Sequence, residues 1–248
     1  MDMAVKYHSK SLVAFMLLGT LLNLAFVSSA KADAEITVSR SLTAISNDDV
    51  VIGDREAAVT IIEYFSPTCT HCNVFHQEVF PELKAKYIDT GKIAYVMREF
   101  VGNKQDLDAS ILARCSVDNE GYLKLMEVIL STQEDWAYNK NYRQYLVDIG
   151  AQGGITEEQY KKCLADDSWT EVFIKNAKLA ANTTNFIGTP SFFINGELIS
   201  VTLSKEQFFL KIDQTYSEMA LKTACPECEE VMTYLENITR EINNMARG

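Results

Sequence analysis

Proline and glycine are scarce in this chain of 248 residues, with 4 and 11 occurrences. Long low-complexity linkers are rich in these two residues, so the composition argues against an extended linker, and no internal repeat is present. Charged residues make up 23% and hydrophobic residues 47%, a balance typical of folded globular proteins. The chain is long enough for one sizeable core, or for one domain with a large insertion.

Basic residues are also few, because 23 Lys and Arg face 34 Asp and Glu, for a formal net charge of −11. Binding of nucleic acid needs clustered Lys and Arg to neutralise phosphates. We therefore expect no nucleic-acid partner, and a solvated acidic surface explains the remaining charge.

The longest hydrophobic run lies at the N-terminus. Lys6 and Lys10 precede an apolar stretch from about Leu12 to Val27, which small residues close at Ala30-Lys31-Ala32. This order of basic, apolar and small residues is that of a secretory signal peptide. We predict a signal peptide over residues 1–32. A retained membrane anchor is the alternative, although the run is shorter than the ~20 residues of a membrane span.

Export changes how the cysteines are interpreted. In an oxidising compartment cysteines can pair, whereas in the cytosol the same set would suggest metal binding or catalysis. All six follow the predicted signal peptide: Cys69, Cys72, Cys115, Cys163, Cys225 and Cys228.

The first half of the chain predicts a strand–helix–strand unit. Apolar, β-rich runs predict buried strands at Val59 to Phe65 and at Ile93 to Phe100. Between them a helical pattern runs from near Cys69 to about Asp89, with Pro81 expected to kink it. Residues 33–57 are predicted to be an irregular lead-in.

Helical spacing then dominates from about Asp106 to Asn182 and predicts four or five short helices without a strand. Thr156-Glu157-Glu158-Gln159 and Ser168-Trp169-Thr170-Glu171 both have the pattern of a capping box at a helix start. We therefore expect a helical insertion of ~75 residues.

Strands return after this insertion. Asn195-Gly196 between Pro190–Ile194 and Glu197–Val201 predicts a hairpin with a type I′ turn. Ser204-Lys205-Glu206-Gln207 then predicts the capped start of a last helix. The whole order suits a small mixed sheet with helices on both faces.

The strongest chemical signal is Cys69-Thr70-His71-Cys72, at the junction of a strand and a helix. Residues i and i+3 of a first helical turn share a face, so the two sulfurs lie within bonding reach. Cys69 sits where free N–H groups and the helix dipole favour a thiolate, and His71 can add positive charge. Such a thiolate is a good leaving group, so its disulfide is easily reduced. An inert local disulfide or two metal ligands are the alternatives.

Three segments in this order resemble the bacterial DsbA family of disulfide oxidoreductases. They are Val59 to Ser66 followed by Cys69–Cys72, the stretch Phe75 to Phe100, and Gly188 to Gly196 with its Thr189-Pro190. The resemblance covers roughly residues 50–220, and it implies an α/β fold: a thioredoxin-like fold with an inserted helical domain. One departure is Thr70, where the family often has proline, so oxidising strength cannot simply be transferred.

The resemblance also implies roles for single residues. Cys69 would be the nucleophile and Cys72 the resolving thiol, while Pro190 would be cis and lie against the disulfide. Thr189 would offer backbone hydrogen bonds to an extended substrate. Glu63 would lie under the active site and accept the Cys72 proton; an exposed Glu63 and an ordinary turn at Pro190 are the alternatives.

The other cysteines allow more than one interpretation. Cys115 and Cys163 could form a structural disulfide, as in some relatives of the DsbA family, or remain separate buried thiols. Cys225 and Cys228 form a second C-x-x-C in which a structural disulfide, a shuttle pair and metal capture are all open. A zinc site of Cys69, Cys72 and His76 lacks an evident fourth ligand, so we expect no metal and no organic cofactor.

The resulting hypothesis is a periplasmic thiol–disulfide oxidoreductase. It would donate the Cys69–Cys72 disulfide to reduced exported proteins through a mixed disulfide, as a monomer reoxidised by a quinone-linked membrane partner of the DsbB kind. A reductase or isomerase on the same fold, and a cell-envelope scaffold with structural cysteines, are the rivals. The expected divisions are a signal peptide (1–32), a thioredoxin-like domain in two parts (33–102 and 183–222), an inserted helical domain (103–182) and a tail (223–248).

Overall fold

The computed structural model describes residues 43–182, 186–199, 203–225 and 233–234. The predicted signal peptide, Cys228 and most of the predicted tail lie outside the described residues. The chain divides into Met1–Ala44 and Ile45–Gly248, and the strands and helices described below all belong to the second unit. None of the described helices combines the length and the hydropathy that crossing a bilayer requires.

A five-stranded sheet and the helices around it make up the described fold. The strands are β1 (Val50–Gly53), β2 (Val59–Phe65), β3 (Ile93–Glu99), β4 (Ser191–Ile194) and β5 (Glu197–Ile199), in the spatial order β1-β3-β2-β4-β5. The helices are α1 (Thr70–Glu78), α2 (Phe80–Leu83), a π-helical turn (Lys84–Ile88), α3 (Lys104–Arg114), α4 (Asn119–Ser131), α5 (Gln133–Trp136), α6 (Tyr142–Gln152), α7 (Glu157–Leu164), α8 (Ser168–Ala181) and α9 (Lys205–Ala224).

The central strand β2 is the element that positions the site. It pairs in parallel with β3, with Val59 opposite Ile93, and antiparallel with β4, with Glu63 opposite Phe192. Nearly every residue of β2 and β3 is buried, which explains why both strands have continuous apolar runs rather than alternation. Both predicted strands are confirmed.

One prediction for the first half of the chain was wrong. The lead-in contains β1, which pairs antiparallel with β3 through Val50 opposite Met97; its four residues are too few to show a period. The helical pattern predicted from near Cys69 to about Asp89 is confirmed, and the helix breaks at Val79, two residues before the expected kink at Pro81. A continuous helix would drive the Pro81 ring into the carbonyl one turn earlier, and Pro81 instead occupies the first turn of α2.

The helical block between β3 and β4 contains six helices in the described residues, more than the four or five expected. Its packing joins the core of the sheet, with Leu112, Met126 and Trp136 fully buried. The capping box at Thr156 is confirmed, because both of its hydrogen bonds are present.

The capping box predicted at Ser168 was wrong. Asp167 is the N-cap residue and makes no side-chain cap, while the Asp166 carboxylate accepts the Ser168 N–H at 2.9 Å. A short Asx turn thus starts the helix one residue earlier than the motif predicts.

The hairpin and the last helix agree with their sequence patterns. Asn195 and Gly196 both have positive φ, 46° and 88°, as a type I′ turn requires. The Asn195 side chain also accepts the Thr60 N–H at 2.7 Å, which ties the turn to β2. The capping box at Ser204 is complete.

A disulfide braces the helical block. Cys115 follows α3 and is bonded to Cys163 in α7, with Cα atoms 6.1 Å apart and a sequence separation of 48. Cys225 is also disulfide-bonded. Within the part of the chain that the structure describes, the free thiols are Cys69 and Cys72.

Candidate active site

The two free thiols lie at the junction between β2 and α1. The strand ends at Phe65, a turn brings the Cys69 N–H onto the Ser66 carbonyl at 3.0 Å, and α1 begins at the next residue. Cys69 is the N-cap of this helix, and its Sγ accepts the Cys72 N–H at 3.4 Å. Free N–H groups and the helix dipole therefore meet at the Cys69 sulfur and stabilise its anion.

The surroundings shift the pKa values of the two thiols in opposite directions. Hydrogen bonds, first from the Cys72 side chain and then from Thr189 and the backbone, lower the pKa of Cys69 to about 6 although partial burial opposes them. Cys72 has no exposed surface. Burial raises its pKa well above 9.0, and its hydrogen bond to Cys69 and the charge of Glu63 add to this. At neutral pH Cys69 is therefore the thiolate and Cys72 the thiol.

The loop that precedes β4 closes the site from the other side. The Thr189–Pro190 peptide bond is cis, and the Thr189 carbonyl accepts the Cys69 thiol at 3.2 Å. The structure thus brings Thr189 and Pro190 beside Cys69, across 120 residues of sequence.

An apolar groove of about 420 Å³ runs away from this point. His71, Thr189 and Pro190 form part of its wall, and its apolar floor comes from Val74, Phe75, Phe192 and Phe208. The backbone N–H of His71 helps to lower the pKa of Cys69, while the exposed imidazole faces the groove.

Glu63 lies under the thiols and is fully buried, so the alternative of an exposed Glu63 was wrong. Its Oε2 accepts the Tyr95 hydroxyl at 2.7 Å and lies 2.8 Å from His76 Nε2. His76 is buried too, with 8% of its surface exposed. The described residues contain no cluster of three or more His, Cys, Asp or Glu that could hold a metal ion.

Sequence reasoning missed two residues of the helical block that hold the loop before Cys69. The buried Asp106 carboxylate accepts the Ser66 hydroxyl at 2.7 Å and the Thr68 N–H at 2.9 Å. Gln133 donates to the carbonyls of Pro67 and Cys69 at 2.7 and 3.1 Å. These partners are 38 to 66 residues apart, so no local pattern could indicate them.

A central sheet with a dithiol at a helix N-terminus, opposite a cis-proline, defines the class of thioredoxin-like dithiol proteins. The comparison with known families agrees, because a profile of the thioredoxin family matches residues 46–214. The chain belongs to the thioredoxin family. The α/β, thioredoxin-like fold with inserted helices, predicted from the sequence, is confirmed.

The individual relatives that the chain resembles include DsbA-like proteins. A protein of Rickettsia typhi is 55% identical to this chain over 152 residues, which cover 61% of this chain and 56% of the relative. Its name assigns it provisionally to the protein-disulfide oxidoreductases. The disulfide bond formation protein D of Bacillus subtilis is 27% identical over 60% of this chain and 68% of that protein. The crystal structure of Wolbachia pipientis alpha-DsbA1 matches with a TM-score of 0.68 and 29% identity, over 75% of this chain and 99% of that one.

These comparisons confirm the DsbA-like resemblance, and the predicted enzyme class agrees with the relatives' names. The match spans little more than half the length of the Rickettsia protein.

Proposed function

We propose that the protein is a periplasmic thiol–disulfide oxidoreductase of the DsbA type, which donates its Cys69–Cys72 disulfide to newly exported proteins. The observation that carries the proposal is that the pKa values of the two thiols are shifted in opposite directions, to about 6 for Cys69 and well above 9.0 for Cys72. A low pKa makes Cys69 a good leaving group and stabilises the reduced protein, and both effects favour transfer of the disulfide to a substrate.

The proposed reaction has two exchanges. A substrate thiolate attacks Cys69 Sγ, the Cys69–Cys72 bond breaks, and its electron pair leaves on Cys72, which takes up a proton. The substrate is now joined to Cys69 by a mixed disulfide. A second substrate thiolate attacks the substrate sulfur of that bond and releases Cys69 as a thiolate. The substrate is oxidised by two electrons and the protein is reduced by two.

In this proposal the groove beside His71 receives the substrate. Thr189, in the loop before β4, would present its backbone to an extended segment, as in recognition by strand addition. The apolar floor would take side chains without regard to their sequence, which suits an oxidant that acts on many unfolded chains.

The remaining parts of the proposal concern the cell. Residues 1–32 would direct export, the mature protein would work as a monomer in the periplasm, and neither metal nor organic cofactor would be needed. Because each turnover leaves Cys69 and Cys72 reduced, a membrane partner of the DsbB kind, linked to quinone, would reoxidise them. We also propose the domain limits that the sequence predicts.

The test is the equilibrium of Cys69 and Cys72 with glutathione, measured by thiol trapping. A Cys225→Ser/Cys228→Ser variant is the control that removes the second C-x-x-C from the measurement. A pair that is already half reduced in mixtures poised above about −200 mV supports a disulfide donor. A pair that stays oxidised until a strong reductant is added would overturn the proposal and leave a reductase or an inert bridge, which a reductase assay separates.

A further inference from the structure

His76 occupies a position that the exchange reaction leaves unexplained. It lies in α1 one turn after Cys72, and its Nε2 is 2.8 Å from the Glu63 carboxylate under the thiols. Its other ring nitrogen, Nδ1, is buried and has no hydrogen-bond partner among the described residues. A buried polar atom without a partner is uncommon and needs an explanation.

His76 forms part of the wall of a cavity of about 560 Å³, which lies on a different face of α1 from the apolar groove. The wall is mostly apolar, but it also includes the polar side chains of Gln77, Glu127 and Ser131, all exposed. A cavity of this size with several polar groups in its wall has room for water. The imidazole thus lies between a buried carboxylate and a cavity that exposed polar residues connect to solvent.

We propose that His76 is a positioning residue that passes protons between Glu63 and the solvent of this cavity, and so serves the protonation and deprotonation of Cys72. The proposal rests on the proposed function. The relay needs His76 in the tautomer that carries its proton on Nδ1. During reoxidation the Cys72 thiol gives its proton to the Glu63 carboxylate, Glu63 passes a proton to the free Nε2, and Nδ1 releases its own proton to water. The Cys72 thiolate then attacks Cys69 Sγ in the mixed disulfide, and the oxidant's sulfur leaves with the electron pair.

Burial is the reason that such a route is needed. Cys72 has no exposed surface and its pKa is raised well above 9.0, so direct loss of its proton to bulk water is slow. Glu63 acts on the charge of Cys72 but is itself fully buried. Imidazole is the side chain best suited to relay a proton near neutral pH.

The other charged and titratable groups around His76 do not replace it. Tyr95 on β3 donates to Glu63, and burial raises the pKa of this phenol well above 10.0, so it anchors the carboxylate as a donor. Lys84 and Glu127 face the cavity from the π-helical turn and from α4. No hydrogen bond joins either side chain to Glu63 or His76 among the described residues. His76 therefore links Glu63 to the cavity.

The experiment separates the two exchanges of reoxidation in the full chain. Reduced protein is mixed with excess oxidised glutathione, quenched with acid, and analysed by mass for the mixed disulfide on Cys69. The first exchange does not use the Cys72 proton, whereas closure of the Cys69–Cys72 bond does. In His76→Gln, which keeps a hydrogen-bonding side chain but cannot relay a proton, we expect closure to slow by about 100-fold, the lower range for a positioned proton-transfer group.

The pH dependence distinguishes proton transfer from a structural role. Closure in His76→Gln should accelerate about tenfold per pH unit, because hydroxide must then remove the proton, while the first exchange stays within about twofold of the native rate. Gln77→Ala, in the same helix and the same cavity wall, is the matched control and should close at the native rate. Unchanged closure in His76→Gln, or uniform slowing with the native pH profile, overturns the inference.

Chemical rescue gives a second, independent readout. Imidazole added to His76→Ala should restore closure in proportion to its concentration, whereas pyrazole, of equal size but much weaker as a base, should not. Equal rescue by both, or by neither, contradicts proton relay. If His76→Ala does not fold, the pH profile of His76→Gln carries the test. A native protein that fails to form the mixed disulfide at all would instead contradict the proposed function.

Discussion

The low pKa of Cys69 leads to a prediction in which two effects oppose each other. With a pKa of about 6 in place of the ordinary 9.0, Cys69 is about 90% thiolate at pH 7, against about 1% for an unperturbed thiol. A less basic thiolate is also a weaker nucleophile, by a factor of about 16 to 32 over three pKa units. Cys69 should therefore react faster than an ordinary thiol at low pH and more slowly at high pH, with the two rates equal near about pH 7.5 to 7.8.

Replacing Cys72 tests the cause of that low pKa. The hydrogen bond from the Cys72 side chain is the largest contribution that lowers the pKa of Cys69. In Cys72→Ala the midpoint of Cys69 reactivity should move upward from about 6, yet stay below 9.0 because Thr189 and the backbone N–H groups remain. Cys72→Ser retains a donor at the same place and should shift the midpoint less, since a hydroxyl also donates to a thiolate.

The assay is the rate of alkylation by iodoacetamide in reduced protein from pH 4.5 to 9.5, with glutathione as the reference thiol. Cys72 is buried and Cys115 is disulfide-bonded to Cys163, so the early signal reports Cys69. A Cys69 rate that runs parallel to that of glutathione at every pH would refute the reasoning. So would a midpoint that Cys72→Ala leaves unchanged, because the assigned cause would then be wrong.

Three further predictions concern stability. The pKa of Cys69 is lower in the folded than in the unfolded state, so its thiolate contributes stability that is present above the unfolded pKa and is lost as pH falls through about 6. In urea unfolding, the stability of the reduced protein relative to the oxidised one should therefore decline from pH 9 to pH 5.5. A constant difference would contradict the role of Cys69. The Cys115→Ser/Cys163→Ser variant should lose about 4 kcal/mol of unfolding free energy for its 48-residue loop, with an unchanged glutathione equilibrium, and a shifted equilibrium would show coupling to the site. Gln133→Leu leaves the loop carbonyls of Pro67 and Cys69 without their donor, so it should cost about 1–3 kcal/mol and slow disulfide exchange; native stability in thermal unfolding would contradict this positioning.

Local patterns in the sequence predicted the parts of the fold that local forces determine. The Asn195-Gly196 turn needs two residues that accept positive φ, and the capping boxes at Thr156 and Ser204 need donors and acceptors three residues apart. Each of these requirements is visible within four residues of sequence. The mostly apolar run of β2 was equally readable, because a strand buried on both faces has few polar positions; Thr60 and Glu63 are its exceptions.

The interactions that hold the site together act over long sequence distances and were not readable. Asp106 reaches Ser66 across 40 residues and Gln133 reaches Pro67 across 66, and polar residues in amphipathic helices more often face solvent. The pairing of Glu63 with His76 has the same origin, since a strand and the following helix bring the two side chains together only after packing. The family resemblance therefore indicated Glu63, whereas the sequence offered His76 only as a candidate zinc ligand and not as a partner of Glu63.

The difference between the two thiols arises from the fold rather than from the C-x-x-C spacing. Cys69 and Cys72 are three residues apart on one helix, so the helix alone would favour a thiolate at both positions of its first turn. Burial reverses this helix effect at Cys72, which has no exposed surface and lies next to a buried carboxylate. At Cys69 the loop of Thr189 instead adds to the helix effect and lowers the pKa further. A C-x-x-C on an isolated exposed helix should therefore lack this asymmetry, even with the same four residues. The sheet beneath Cys72 and the cis-proline loop beside Cys69 supply the chemical difference on which directional disulfide exchange depends.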